Sequence, residues 1–235
     1  MNIKVILFDL DGTLLPMDQD VFIKTYLGLL AKKMASRGYE PNKLIESIWL
    51  GTKSMIKNDG SKTNEEVFWN KFTEIHGENS IKDLMYFDEY YQTDFDNVKA
   101  SCGYNENSKH VIDEIKKMGY RLVLATNPIF PQVATKKRIG WAGLSPEDFE
   151  LYTTYENSCY CKPNPKYYLE ILSKIGVSPE ECLMVGNDVN DDMVAKSIGI
   201  NVFLLTDCLI NNDNKDISYF PQGNINDLLE YIKNI

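Results

Sequence analysis

Histidine is nearly absent from this chain: there are two in 235 residues, His76 and His110. The five cysteines (Cys102, Cys159, Cys161, Cys182 and Cys208) are odd in number and contain no CxxC pair. A structural zinc centre needs four Cys or His ligands at characteristic spacing. Cys159 and Cys161 in SCYCKP have no second pair to join them, so the thiols read as incidental ones in a reducing compartment. Basic residues are also in deficit, with 25 Lys and Arg against 34 Asp and Glu, a formal charge of -9. Nucleic acid is therefore not an expected partner, because its phosphates need basic neutralisation. No apolar run approaches the roughly 20 residues that span a bilayer. Asp9 and Asp11 interrupt the N-terminal apolar run too early for a signal peptide, so no membrane partner and a cytoplasmic location are expected. Internal repeats and low-complexity segments are missing as well.

What remains is an ordinary globular composition, 43% hydrophobic and 25% charged, long enough for one domain or two. Five short apolar or β-branched runs read as strands buried on both faces: KVILFD (4–9), RLVLAT (121–126), FELYTT (149–154), ECLMVG (181–186) and INVFLL (200–205). Helical patterns separate the later ones. NENSKHVIDEIKKMG has Val111, Ile112, Ile115 and Met118 at helical spacing and stops at Gly119. PQVATKKRIGWAG, NPKYYLEILSKIG and DDMVAKSIG follow in turn, and INDLLEYIKNI closes the chain. Alternating strands and helices imply an α/β fold with a doubly wound parallel sheet of five or more strands.

One interval breaks the alternation. Between Leu15 and Ala100 lie about 85 residues without a convincing strand, far more than a crossover needs. Their pattern is helical: DVFIKTYLGLLAKKMASRG, PNKLIESIWLGTKSMIKN, TNEEVFWNKFTEIHG with Thr63 and Glu66 at capping-box spacing, and SIKDLMYFDEYYQTDF. The division expected is a core of residues 1–15 and 101–235, with 16–100 as an inserted helical bundle. MYFDEYY (85–91) is either the core of that bundle or a recognition surface.

In such a sheet, ligands bind beyond the carboxyl ends of the strands. Asp9, Asp11, Gly12 and Thr13 follow the first strand, and Thr126 and Asn127 the second. Lys162 lies shortly after the third, and Asp188, Asp191 and Asp192 follow the fourth. Each motif alone is an ordinary turn or loop; four in order at successive strand ends are a site. Carboxylates this close cannot all ionise without a cation, and one lysine is too few. An all-oxygen set with waters suits Mg²⁺ better than zinc, and both histidines read as surface or packing residues. A divalent cation with Lys162, backbone amides at Gly12, and Thr126 and Asn127 as donors makes a phosphate site. In an extended segment Asp9 and Asp11 point the same way while Leu10 returns to the core. Asp9 can then attack phosphorus, giving an aspartyl-phosphate. Asp11 can protonate the leaving oxygen and later deprotonate water.

Taken in order, DLDGT, ATN, KPNP and GNDVNDD resemble the four motifs of the haloacid dehalogenase-like (HAD) superfamily, over about 1–15 and 101–235. The resemblance implies a Rossmann-like core with a C1-type helical cap that closes over the site and selects substrate. It also implies a phosphatase acting on a small phosphorylated metabolite, as a monomer or small homo-oligomer. By the same resemblance Asp9, Asp188 and the Asp11 backbone carbonyl hold Mg²⁺. Thr126 and Asn127 would hold the phosphoryl group, Lys162 would offset its charge, and Asp192 would act through water or by orienting Lys162. Asp191 sits where the motif often carries Asn and receives no direct role. Haloacid dehalogenases lack the second aspartate, so Asp11 argues against carbon–halogen cleavage. Phosphomutases share the core, and phosphonatases use a cap lysine, for which Lys24, Lys32, Lys33 and Lys53 are candidates. A phospho-acceptor signalling module would gain nothing from Asp11 or a lid.

Overall fold

Every residue of the VILF run is buried, so the strand it forms, β1 (Val5–Phe8), must be covered on both faces. In the computed structural model, which describes residues 2–235, β1 lies inside a six-stranded sheet. Its neighbours are β2 (Arg121–Leu124), β3 (Leu151–Tyr152), β4 (Cys182–Gly186), β5 (Asn201–Leu205) and β6 (Gln222–Gly223). The order is β3-β2-β1-β4-β5-β6, and all pairs are parallel. Strand order reverses beside β1, so a crevice opens between the carboxyl ends of β1 and β4.

The period of two along each strand divides the core. Ile6, Phe8, Leu183 and Val185 enter one apolar cluster, whereas Val5, Leu7, Cys182 and Met184 enter the other. Four helices of the insert, α1 (Gln19–Ala35), α2 (Pro41–Ile56), α3 (Asn64–His76) and α4 (Leu84–Gln92), separate β1 from β2. The first cluster also takes α5 (Glu106–Lys117), α6 (Gln132–Trp141) and α8 (Ile225–Lys233); the second takes α7 (Pro165–Ile175), which ends at Gly176 with φ 68°.

The insert forms for local reasons that the sequence carries. Asp18 caps α1 through the Val21 N–H, and Pro41 opens α2. Thr63 and Glu66 make a reciprocal capping box on α3. The helices meet on aromatic rings, such as Phe72 against Phe87 at 5.3 Å and Tyr26 against Phe130 at 5.2 Å. The second contact reaches the sheet side, so the insert and one face of the sheet share a single apolar cluster. Within MYFDEYY, Phe87, Tyr90 and Tyr91 are buried and Met85 is exposed. The two ends of the insert run side by side: Met17 and Cys102 form an antiparallel bridge, and the Gly103 N–H donates to the Pro16 carbonyl at 2.7 Å.

Four local expectations change. β3 spans two half-buried residues rather than 149–154, because it is an edge strand paired only with β2. β6, pairing Gln222 and Gly223 with β5, has no apolar run to announce it. DDMVAKSIG forms a short 3-10 helix, Met193–Ile198: Asp192, at its N-cap, makes no capping bond because its carboxylate is bonded elsewhere. The fourth helix of the insert is broken into a 3-10 turn, Glu78–Asp83, followed by α4, and Asp83 is similarly taken by the Tyr39 hydroxyl at 2.8 Å. Among the described residues, no helix is long and apolar enough to cross a membrane.

At Gly51 the packing of α2 on α3 is so close that an added Cβ would lie 2.6 Å from the Phe68 ring, itself in edge contact with Trp69. Gly51→Val should therefore destabilise the protein by about 1–3 kcal/mol through overpacking. That exceeds the roughly 0.5–1 kcal/mol gained by removing glycine from a helix. Urea unfolding of the variant beside the wild type checks it.

Candidate active site

The backbone leaving β1 stays extended long enough to bury Leu10 completely and to turn Asp9 and Asp11 toward the crevice, whose lining includes both. Asp9 is clamped on both oxygens. Oδ1 accepts from the Lys162 ammonium at 2.8 Å, and the Thr13 hydroxyl lies 3.1 Å from Oδ2. The same hydroxyl is 3.0 Å from Asn187 Oδ1, and Asn187 Nδ2 donates to the Cys208 carbonyl at 2.6 Å. Between these residues the chain turns at Gly12 with φ 85°, where a Cβ would lie 2.4 Å from Asn187 Nδ2. Only glycine meets both conditions.

Lys162 arrives from the loop before α7 and is buried. Its ammonium bonds Asp192 Oδ1 at 2.6 Å as well as Asp9. Burial opposes its charge, yet the carboxylates of Asp192 and Asp9 hold its pKa well above the ordinary lysine value. Asp192 is fixed in turn by the Asp188 N–H, 2.9 Å from its Oδ2. Its burial pushes its carboxyl up, and Lys162 pulls it back. An added Cβ at Gly186 would lie 2.1 Å from Asp192 Oδ2, so β4 must end in glycine to leave room for that side chain.

Asp188 Oδ1 accepts the N–H groups of Asn190 at 2.7 Å and Asp191 at 2.9 Å. Burial raises Asp191 to about 6, with Asp188 and Asp9 adding to the effect and Lys162 opposing it. Asn127 bridges two of these segments: its Oδ1 accepts the Lys162 N–H at 3.3 Å, and its Nδ2 lies 3.4 Å from Asp191 Oδ2. The Thr126 carbonyl is held by Thr153 Oγ1 at 2.6 Å and the Tyr167 hydroxyl at 2.9 Å.

Asp11 has a partner that strand-end reasoning missed. Its Oδ2 pairs with Nη1 of Arg138, which projects from α6 and is completely buried. The guanidinium sits 4.5 Å from the centre of the Phe130 ring, and its Nη2 is 3.3 Å from Thr135 Oγ1. Asp11 Oδ1 is buried with no hydrogen-bond partner. Burial raises the Asp11 pKa, the Arg138 charge lowers it, and Asp9 raises it further. The sequence did hold a signal. Arg138 falls four residues after the buried Ala134 and one before the buried Ile139, placing a charge inside an apolar stripe. Asn187, also missed, directly follows β4, where the strand-end rule looks.

Asp9, Asp11, Thr126, Asn127, Lys162, Asp188, Asp191 and Asp192 line one cavity of about 170 Å³. Gly12 does not line it, and its N–H donates to the Leu15 carbonyl at 2.8 Å. None of Lys24, Lys32, Lys33 and Lys53 lines it either; Lys33 pairs with Glu89 and Asp94, and the other three are exposed. His110 is exposed, while His76 packs on Phe72 at 4.5 Å with Nε2 2.9 Å from Ser47 Oγ.

Among the described residues, no three His, Cys, Asp or Glu side chains are grouped so as to hold a metal ion by themselves. A cation at this cavity would rest on two carboxylates, those of Asp9 and Asp188, with a backbone carbonyl and waters. Such an all-oxygen set fits a hard divalent ion that keeps part of its hydration shell.

Known proteins resemble this chain in sequence and in fold. The chain is 24% identical over 201 residues to the phosphoglycolate phosphatase of Aquifex aeolicus, covering 86% of this chain and 84% of that one. It is 25% identical over 199 residues to the pyrophosphatase PpaX of Bacillus cereus (strain AH820), covering 85% and 81%. A structure of YfnB, a HAD-family protein of Bacillus subtilis bound to magnesium, shares the fold over the whole of both chains, with a TM-score of 0.55 at 17% identity. Residues 3–199 match the haloacid dehalogenase-like hydrolase model, and with the parallel sheet and helical insert in place the chain belongs to that family of enzymes.

Proposed function

We propose that the chain is a Mg²⁺-dependent phosphatase that hydrolyses a small phosphorylated metabolite through an aspartyl-phosphate on Asp9. The observation that carries this reading is the unequal treatment of the two opening aspartates. Asp9 is clamped between the Lys162 ammonium and the Thr13 hydroxyl, which fixes its carboxylate in place for attack. Asp11 is raised by burial and offers an unbonded oxygen, which favours a proton carrier. The two curated relatives support phosphate transfer as a class; their names specify different substrates, so neither substrate carries over.

In the first half-reaction an Asp9 oxygen bonds to phosphorus as the bond to the leaving oxygen breaks, and that oxygen takes the proton from Asp11 Oδ1. In the second, water attacks phosphorus, its proton goes to Asp11, and the Asp9–phosphorus bond breaks to release phosphate. Lys162 stabilises charge on the phosphoryl oxygens, and Asp192 keeps its ammonium in place. Thr126 and Asn127 orient the group from the end of β2. Arg138 positions Asp11 through Oδ2 and leaves Oδ1 for the proton. Mg²⁺ bound by Asp9, Asp188 and the Asp11 carbonyl would neutralise charge on the phosphoryl group. The lining also weighs against a phosphonatase, whose cap lysine has no counterpart in the cavity.

Asp9→Asn should abolish phosphate release from p-nitrophenyl phosphate, and EDTA should do the same reversibly, with Mg²⁺ restoring it; equal release by wild type and variant refutes the nucleophile. Asp11→Asn should slow turnover by about 10²–10⁴-fold and accumulate a phosphoenzyme visible by mass spectrometry. Arg138→Met breaks a buried pair and should cost on the order of 3 kcal/mol in urea unfolding. Its activity should fall more for alkyl phosphates, whose leaving oxygen needs a proton, than for p-nitrophenyl phosphate. A uniform loss across both would make Arg138 merely structural.

A further inference from the structure

The cavity has two unlike ends. On the sheet side are five carboxylates (Asp9, Asp11, Asp188, Asp191 and Asp192) against a single cation, Lys162. On the insert side the wall is built from Phe22 and Ile23 of α1, Ile48 and Trp49 of α2, and Phe68 and Trp69 of α3. Among the described residues lining the cavity, no lysine, arginine or histidine comes from the insert. Most polar atoms in that wall are already engaged. The Tyr26 and Tyr91 hydroxyls bond each other at 2.6 Å, the Thr52 hydroxyl donates to the Ile48 carbonyl at 2.9 Å, and Trp69 Nε1 lies 3.5 Å from the Tyr155 hydroxyl. The remaining polar groups of the insert wall are Gln19 and the indole N–H of Trp49, neither of them a cation.

A substrate held with its phosphoryl group at Asp9 must place the rest of itself against this wall. A carboxylate or second phosphate there would be desolvated with no cation to receive it, at a cost of several kcal/mol. A single ring or short chain, in contrast, finds aromatic and aliphatic surface worth about 25 cal/mol per Å² buried.

We propose that the leaving group of the substrate is uncharged and predominantly apolar, an inference that rests on the phosphatase reading above. Substrates with a second anionic group, such as phosphoglycolate, pyrophosphate or a sugar bisphosphate, are excluded by the same wall. A phosphomutase route through a bisphosphate meets the same obstacle.

The test compares benzyl phosphate with 2-phosphoglycolate and pyrophosphate on the wild-type protein with Mg²⁺. The alcohols released from the first two are similarly basic, so their ratio reads the wall rather than the chemistry. Benzyl phosphate should be favoured in kcat/KM by about 100-fold or more. A second arm needs no turnover: calorimetry with benzylphosphonate should show at least about 10-fold tighter binding than with phosphonoacetate. Preference for phosphoglycolate or pyrophosphate, or equal binding of the two phosphonates, overturns the inference and leaves the phosphatase reading standing. Hydrolysis of none of the esters, with benzylphosphonate still preferred, overturns the phosphatase reading and keeps the assignment of the wall. Neither hydrolysis nor binding overturns both.

Discussion

The buried ammonium of Lys162 is the contact on which the rest of this molecule turns. A charge in that position is tolerable only because Asp9 and Asp192 both reach it, at 2.8 and 2.6 Å. Those two carboxylates come from the segments after β1 and β4, and Lys162 itself comes from the loop before α7. One electrostatic knot therefore ties three segments far apart in sequence to the mouth of the crevice. The small residues around it follow from the same need: Gly186 makes space for Asp192, and Gly12 makes space for Asn187, whose Oδ1 lies beside the Thr13 hydroxyl.

Arg138 repeats the arrangement at Asp11. It is a cation with no exposed surface, set in an apolar stripe of α6, with the Phe130 ring beneath it and one oxygen of Asp11 as its partner. Two neighbouring aspartates thus have different cations and different surroundings. Lys162 is shared between carboxylates, whereas the Arg138 guanidinium is directed at Asp11 and Thr135. Separating the environments of two like groups is how a site assigns them unlike roles.

Much of the frame was legible in the sequence because it rests on local signals. β1, β2, β4 and β5 are short buried runs, and α3 carries its capping box in four residues, Thr63 to Glu66. The cluster of strand-end residues was legible because doubly wound sheets gather them. What was lost depends on partners distant in the chain. Nothing near Gln222 says that β5 will pair with it, and β3 shortens because it lies at the sheet edge with one neighbour. The Asp192 carboxylate is drawn to Lys162 and the Asp188 N–H, so the segment after it winds as 3-10 without a cap bond. The place of Arg138 in the apolar stripe of α6 is visible in the sequence; its partner, Asp11, lies 127 positions away in the chain and is not.

The bridge between Met17 and Cys102, with the Gly103 N–H on the Pro16 carbonyl, means that the chain enters and leaves the insert at one spot. The stems make one socket, and a second dock lies at the start of α3, where the Asn64 and Glu65 N–H groups donate to the Ser158 and Tyr155 carbonyls at 2.8 and 2.9 Å. The length and inner surface of the insert can be rewritten without shifting the register of any β-strand, provided that this dock and the ring contacts to Phe130 and Trp141 are matched. Grafting an insert from another family member into this socket is then a route to new substrates on an unchanged reaction centre, and the paired stems mark where to cut.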